Sequence, residues 1–190
     1  MTLILASGPA LEPVTLADAK AHLRVDGTDE DALIASLTTA ARLTLEAETR
    51  RAFISQAWTL VLDSWPIGDV RLPLAPIQAL TGVTLVDEDG AVSPVPAALY
   101  YVVFEDTARL VRRRDAVWPM PARYAGGIEI AFTAGYGAAA SDVPEALRRA
   151  VLLLVAHWFE NREPVAFGGA ASRIPASVDT LVAPYRLVRL

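Results

Sequence analysis

The chain has 190 residues, a formal net charge of −5, and 53% hydrophobic against 21% charged residues. That length suits one domain, or one domain with a small insertion or arm, able to bury roughly 70% of its unfolded surface without covalent staples. The absence of cysteine and the presence of only two histidines, His22 and His157, exclude a disulfide framework, a thiolate or histidine-rich metal centre and a cysteine nucleophile. The negative charge argues against a protein whose main task is gripping nucleic acid. Mean hydropathy is +0.34, which is incompatible with a disordered chain and implies that partners or other subunits cover part of the surface. The apolar run 150–159 and the uncharged run 72–86 both fall short of the ~20 apolar residues of a spanning helix. Met1 to Ala10 lacks the features of an export signal, so a cytoplasmic origin is expected.

Residues 1–14 hold Pro9 and Pro13 and read as an extended N-terminal lead-in. Thr15 opens a helix over 15–25, where Thr15 and Asp18 form a weakened capping box. Leu16, Ala17, Ala19 and Leu23 give it an apolar stripe, and Asp26-Gly27 stops it. A second helix spans 28–51. Asp29, Glu30 and Asp31 complement its positive end, and Arg50 and Arg51 its negative end. Leu33, Ile34, Leu37, Ala40, Ala41, Thr44 and Leu45 recur at three- and four-residue steps, as a buried helix face requires.

From 53 to 133 the texture is that of strands. Trp58–Asp63, Val70–Leu72, Leu80–Val86, Leu99–Phe104, Ala108–Val111 and Ile128–Thr133 are the candidates, with Asp87-Glu-Asp-Gly90 closing a hairpin. Together they predict a small antiparallel sheet of about five or six strands. Ser141-Asp-Val-Pro144 starts a third helix over 142–163. Leu147, Ala150, Val151, Leu154, Val155 and Trp158 form one face, and Leu152, Leu153 and Phe159 widen it. Phe167-Gly-Gly-Ala-Ala-Ser172 reads as a hinge, and the apolar segment 174–190 as an arm that must dock on its own domain or on a partner. The fold class is α+β: a helical core of three main helices, 15–163, with an inserted small antiparallel β-sheet and an extended C-terminal arm over 164–190.

Enzyme signatures are missing. There is no G-x-S-x-G, Walker or H-E-x-x-H motif, and Gly135-Tyr-Gly137 reads as a turn between the last strand and the third helix. His157 has Glu160 three residues on, and His22 has Asp18 four residues before it, but both fit ordinary helix pairs better than a catalytic base. The Asp29–Asp31 run lacks the alternation of a calcium loop. Arg109, Arg112, Arg113 and Arg114 form the densest basic cluster. It is either a DNA-passage or interface patch, or a solvated turn balanced by Glu105, Asp106 and Asp115. Trp58, Trp65, Trp118 and Trp158 read as core or interface anchors. No cofactor is expected.

Three blocks, taken in order, carry a resemblance. They are Pro13-Val-Thr-Leu-Ala-Asp-Ala-Lys-Ala-His-Leu-Arg24 with Asp29-Glu-Asp-Ala-Leu-Ile34; Phe132-Thr-Ala-Gly-Tyr-Gly137 with 143–163; and Ile174-Pro through Leu181 to Pro184-Tyr-Arg186. The chain resembles the head–tail connector (adaptor) proteins of tailed bacteriophages and of gene transfer agents, from about Pro13 to Arg186. The resemblance implies a structural subunit made in the bacterial cytoplasm and placed in the neck of the particle. Such subunits form a ring of about twelve copies, each offering two different faces. The ring lies below the capsid portal, joins the DNA-filled head to the stopper or tail, and lets DNA pass with only transient, non-specific contact. It touches no membrane. The arm is then the portal-binding element, with Ile174, Pro175, Val178, Leu181, Tyr185 and Leu187 as anchors. Alternatives are another neck component, a stopper or tail terminator, and a small cytoplasmic enzyme using His157 with Glu160 or Glu163. The arm assignment requires that the terminal segment be sheltered on another molecule rather than on its own globule.

Overall fold

The computed structural model describes residues 1–161 and 174–187. The chain divides into two compact units, and each interrupts the other in sequence. The first, of Met1–Pro9 and Ser55–Tyr136, is built of β-strands with a 3-10 turn at Ala97–Leu99. The second, of Ala10–Ile54 and Gly137–Leu190, is helical.

The β unit contains β1 (Thr2–Ser7), β2 (Gln56–Leu62), β3 (Val70–Arg71), β4 (Ile77–Val86), β5 (Val92–Pro94), β6 (Tyr100–Val103), β7 (Arg109–Arg112) and β8 (Ile128–Ala134). These form two antiparallel sheets, ordered β1-β2-β8-β4-β5 and β3-β7-β6, in place of the single sheet expected. Proline explains the break. Pro94 ends β5; Val95 N still donates to the Val83 carbonyl at 2.8 Å, and the ladder stops at Pro96, which has no N–H to give.

The centre of the large sheet is β8, where Ile128, Ile130, Phe132 and Ala134 point inward and are buried. Its neighbour β2 pairs Leu60 with Ile130 and Trp58 with Phe132. The β4–β5 hairpin turns where expected: Asp87 Oδ1 accepts from the backbone N–H groups of Asp89 (3.0 Å) and Ala91 (2.8 Å), and Gly90 supplies φ +83°.

The N-terminal lead-in is corrected. Residues 2–7 are strand β1, with Leu3 opposite Leu60 and Leu5 opposite Trp58. The strand lies at the sheet edge and is largely exposed, so it shows no inward–outward alternation, and its partner is some fifty residues away.

The helical unit contains α1 (Leu16–Leu23), α2 (Asp31–Thr49), α3 (Glu145–Glu160) and α4 (Ala176–Val182), with a 3-10 turn at Ala183–Tyr185. Thr15 caps α1, accepting from Asp18 N at 3.1 Å while donating to Asp18 Oδ2 at 2.7 Å. The helix ends at Arg24, in the left-handed region at φ +58°.

The buried stripe of α2 is rotated from the expected one. Ile34, Thr38, Ala41, Arg42, Leu45 and Thr49 face inward, whereas Leu33 is exposed. The expected stripe omits Thr38 and Thr49. In the structure Thr38 and Thr49 satisfy their hydroxyls on the carbonyls of Ile34 (2.8 Å) and Leu45 (2.7 Å), which makes burial affordable. Arg50 leaves the helix at φ +56° rather than complementing its end.

Helix α3 buries Leu147, Ala150, Val151, Leu154 and Val155, and Trp158 is half-buried. The expected hinge at 167–172, and Glu163, lie outside the described residues. An extended arm does not describe 174–187. The segment folds as α4 against α3, with Val178 and Val182 at 0% exposure. This overturns the extended form of the arm and the requirement that the segment be sheltered on another molecule; what it can still offer a partner is the outward surface of its half-buried residues. Valines four residues apart on one helical face find an apolar wall on their own unit.

Candidate interaction surfaces

The C-terminal segment is tied to its own unit by polar contacts as well. Arg51 Nε donates to the Tyr185 carbonyl at 2.6 Å, and Leu187 N to the Thr49 carbonyl at 3.3 Å. The Arg186 guanidinium reaches Asp179 and Glu48, both at 2.6 Å, and the hydrogen bond to Asp179 above all holds it over its ordinary pKa. Of the six expected anchors, Val178 is spent on the core. Ile174, Pro175, Leu181, Tyr185 and Leu187 are half-buried, so each keeps part of its surface outward.

The arginine cluster does not act as one patch. Arg109 on β7 is committed locally, to Glu105 (3.3 Å) and Asp69 (3.0 Å), and its pKa is raised first by the Glu105 charge. Arg112 donates from Nη1 to the Ala116 carbonyl, and Arg113 lies over the Tyr101 ring at 5.7 Å. Arg112, Arg113 and Arg114 are exposed, as is Arg123, a residue that sequence reasoning missed. None of these four makes an ion pair among the described residues.

Beside them stands an aromatic support. Trp65 and Trp118 stack at 4.0 Å, 8° from parallel, and Tyr100 lies 6.1 Å from Trp118. Burial raises the Tyr100 phenol pKa. Trp65 Nε1 donates to the Pro119 carbonyl at 2.8 Å, and Gly126 N to Asp63 Oδ1 at 2.7 Å. The loops 63–69 and 113–127 are thereby pinned to one another. At Gly127 an added Cβ would lie 2.7 Å from the Arg123 carbonyl, so the second loop closes only on a glycine. These loops hold outward the side chains of Ile67, Val117, Met120 and Tyr124, each 80% exposed or more. The missed signal was Met120 between Pro119 and Pro121: an apolar residue fixed in a segment that can form neither helix nor inner strand.

The helical unit carries a cavity of about 310 Å³. Leu11, Val14 and Leu16 line one side, and Ala35, Thr38 and Thr39 of α2 the other, with Ala140 closing the set. Glu12 also lines it, but its carboxylate is engaged. It accepts from Arg42 Nε at 2.7 Å and from Thr39 Oγ1 at 2.9 Å, while Arg42 Nη1 holds Glu46 at 2.8 Å. Glu46 in turn accepts from Phe53 N at 2.7 Å. Burial opposes the Arg42 charge, but Glu12 and Glu46 outweigh it and raise the guanidinium pKa. This network is structural, and it too was missed, because its three charged groups lie as far as Glu12 to Glu46 apart in sequence.

The histidines are not brought to any reacting group. His157 Nδ1 faces the Asn161 side chain at 3.4 Å. Asp18 is held by Thr15, and His22 titrates below its ordinary value, through burial first and then the Arg149 charge. Gly135 takes φ +136° and bonds the Pro76 carbonyl, and a Cβ on Gly137 would run into the Asp142 side chain, so the Gly135–Gly137 stretch is a turn built for space. Among the described residues no three His, Asp or Glu side chains gather as metal ligands, and no helix is long and apolar enough to cross a membrane.

Residues 13–118 match the family model described as phage gp6-like head-tail connector protein. The chain belongs to that family. A chain in the neck of an empty gene transfer agent particle, solved with C6 symmetry, is 34% identical to this connector. The match covers 100% of this chain and 97% of that one, at a TM-score of 0.83. A chain in the virion of the native gene transfer agent particle gives 34% and 0.82, and one in the native neck solved with C12 symmetry gives 33% and 0.81, with the same coverage. A comparison with curated proteins finds no match. Family and fold are those of a structural neck protein.

Proposed function

We propose that this connector is one subunit of a homo-oligomeric ring of about twelve copies in the neck of a phage-like or gene transfer agent particle. The ring lies below the portal, joins the DNA-filled head to the stopper or tail, and leaves a channel through which DNA passes. The role is architectural, without cofactor or catalysis. The observation that carries the reading is the end-to-end similarity, at 34% identity, to chains of the gene transfer agent neck. A net charge of −5 suits a channel wall that DNA slides past without sticking. Portal binding falls to the outward surfaces of Ile174, Pro175, Leu181, Tyr185 and Leu187, with Val178 as the internal peg that presents them. Arg112, Arg113 and Arg114 serve an interface, and Arg109 braces the strand beneath them.

The test is to image particles made without this chain. DNA-filled heads lacking tails are the expected result. Tailed particles that still deliver DNA would remove the assignment. Restoring the chain should restore the tails, with its density placed between portal and tail.

A further inference from the structure

A ring contact that runs head to tail needs two different faces on every subunit, and the two units of this chain each supply one. On the β unit, Val117, Met120 and Tyr124 stand at 80%, 82% and 96% exposure on a loop held by the Trp65–Trp118 stack and by the Gly126–Asp63 bond. Large apolar side chains presented by a braced loop are the anchor half of an interface, since little flexibility is lost when they are covered. On the helical unit, the cavity of about 310 Å³ between Leu11, Val14 and Leu16 and the α2 wall is an apolar socket of the size for one or two such side chains. Leu11 and Leu16 at its rim are still 42% and 37% exposed.

The charges around the two features are complementary. The loop is flanked by the exposed Arg112, Arg113, Arg114 and Arg123, none of them ion-paired among the described residues, against one exposed acid, Asp115, so its balance is positive. The socket is flanked by the exposed Asp18, two residues after Leu16, and by Asp142, two residues after Ala140. We infer that the 117–124 loop of one copy inserts its apolar side chains into the helical-unit cavity of the next copy, with the arginines set against the acidic rim. This rests on the ring reading and names the contact that builds the ring. Opposite charges at the rim set which faces meet and disfavour loop-to-loop pairing, where arginines would face arginines.

Because the native chain has no cysteine, the contact can be tested by cross-linking in assembled particles with a short bis-maleimide. Particles built from a chain carrying both Met120→Cys and Leu16→Cys should give a ladder of dimers, trimers and higher species of this chain. Each single variant alone should stay monomeric. Particles co-assembled from the two single variants should stop at dimers. A second pair, Tyr124→Cys with Thr39→Cys, guards against a variant that fails to assemble, which tail attachment reports. If tailed particles show a ring of this chain and neither pair gives a ladder, the inference is wrong and the ring reading stands. Cross-links from Met120→Cys to the portal or a tail protein, or to a second Met120→Cys, overturn it equally. Necks with no ring of this chain remove the reading on which it depends.

Discussion

The packing of α4 on its own unit makes a sharp claim about the isolated protein. Val178 and Val182 are fully buried, so replacing either with alanine removes two methyl groups from a closed interior. At ~0.8 kcal/mol per methyl the transfer loss is about 1.6 kcal/mol. The void left behind raises it to about 2–3 kcal/mol, because neighbouring side chains collapse only in part. For a chain of this size that corresponds to ~5–10 °C in the unfolding midpoint. The two positions share the α3 wall, so the double variant should depart from additivity. Thermal unfolding of purified protein, followed by far-UV circular dichroism, reads this without any partner present. Under a free-arm arrangement both positions would be solvated in isolation, and the substitutions would move stability by less than ~0.5 kcal/mol. Midpoints unchanged in both variants would falsify the docked α4.

Further outcomes follow from other parts of the helical unit. Arg42→Ala leaves Glu12 and Glu46 facing one another without their cation and should cost about 3–5 kcal/mol in urea unfolding, with Phe53 N losing a well-held acceptor. Gly137→Ala drives a Cβ into Asp142 and disturbs its bond to Ala139 N, so a loss of about 1–3 kcal/mol is expected in the same assay. His22 titrates below its ordinary value in the folded chain, so the unfolded chain binds the proton more readily. Its contribution is intact above about pH 6.5 and is lost as the pH falls from there through the folded pKa. His22→Gln should flatten that limb of the stability–pH curve, and an unchanged slope would discount the burial of the imidazole beside Arg149.

The sequence made local periodicity legible and left distant pairing obscure. The stripe of α3, the hairpin turn at Asp87–Gly90 and the strand at 128–133 each depend on neighbouring residues, and each stands where reading placed it. Strand β1 depends on Ala57–Val61 for both partner and register, so nothing within residues 2–7 marks it. The stripe read from the sequence omits Thr38 and Thr49, since spacing alone does not show that the preceding turn will accept each hydroxyl proton. Among candidate site residues, the Arg109–Arg114 run was visible as charge. Its division into a paired Arg109 and exposed Arg112–Arg114 depends on Asp69, forty positions away.

An apolar surplus in the composition says that something must be covered, and does not say which residues or by what. The C-terminal segment was the nearest apparent claimant, since a run after a Gly-Gly pair looks unable to shelter itself. Its two most demanding side chains, Val178 and Val182, are nevertheless satisfied within the helical unit. The unsatisfied area lies instead at Ile67, Val117, Met120 and Tyr124, on loops whose prolines and glycines give them no periodic signature. Membership of the connector family is independent of this relocation, because the matched residues 13–118 end before the C-terminal segment begins. The family places the chain among connectors, and the exposed loop locates the surface that is most in need of a neighbour. Joining the two requires only that the covering molecule be another copy, and the socket on the helical unit gives that copy a place to receive it.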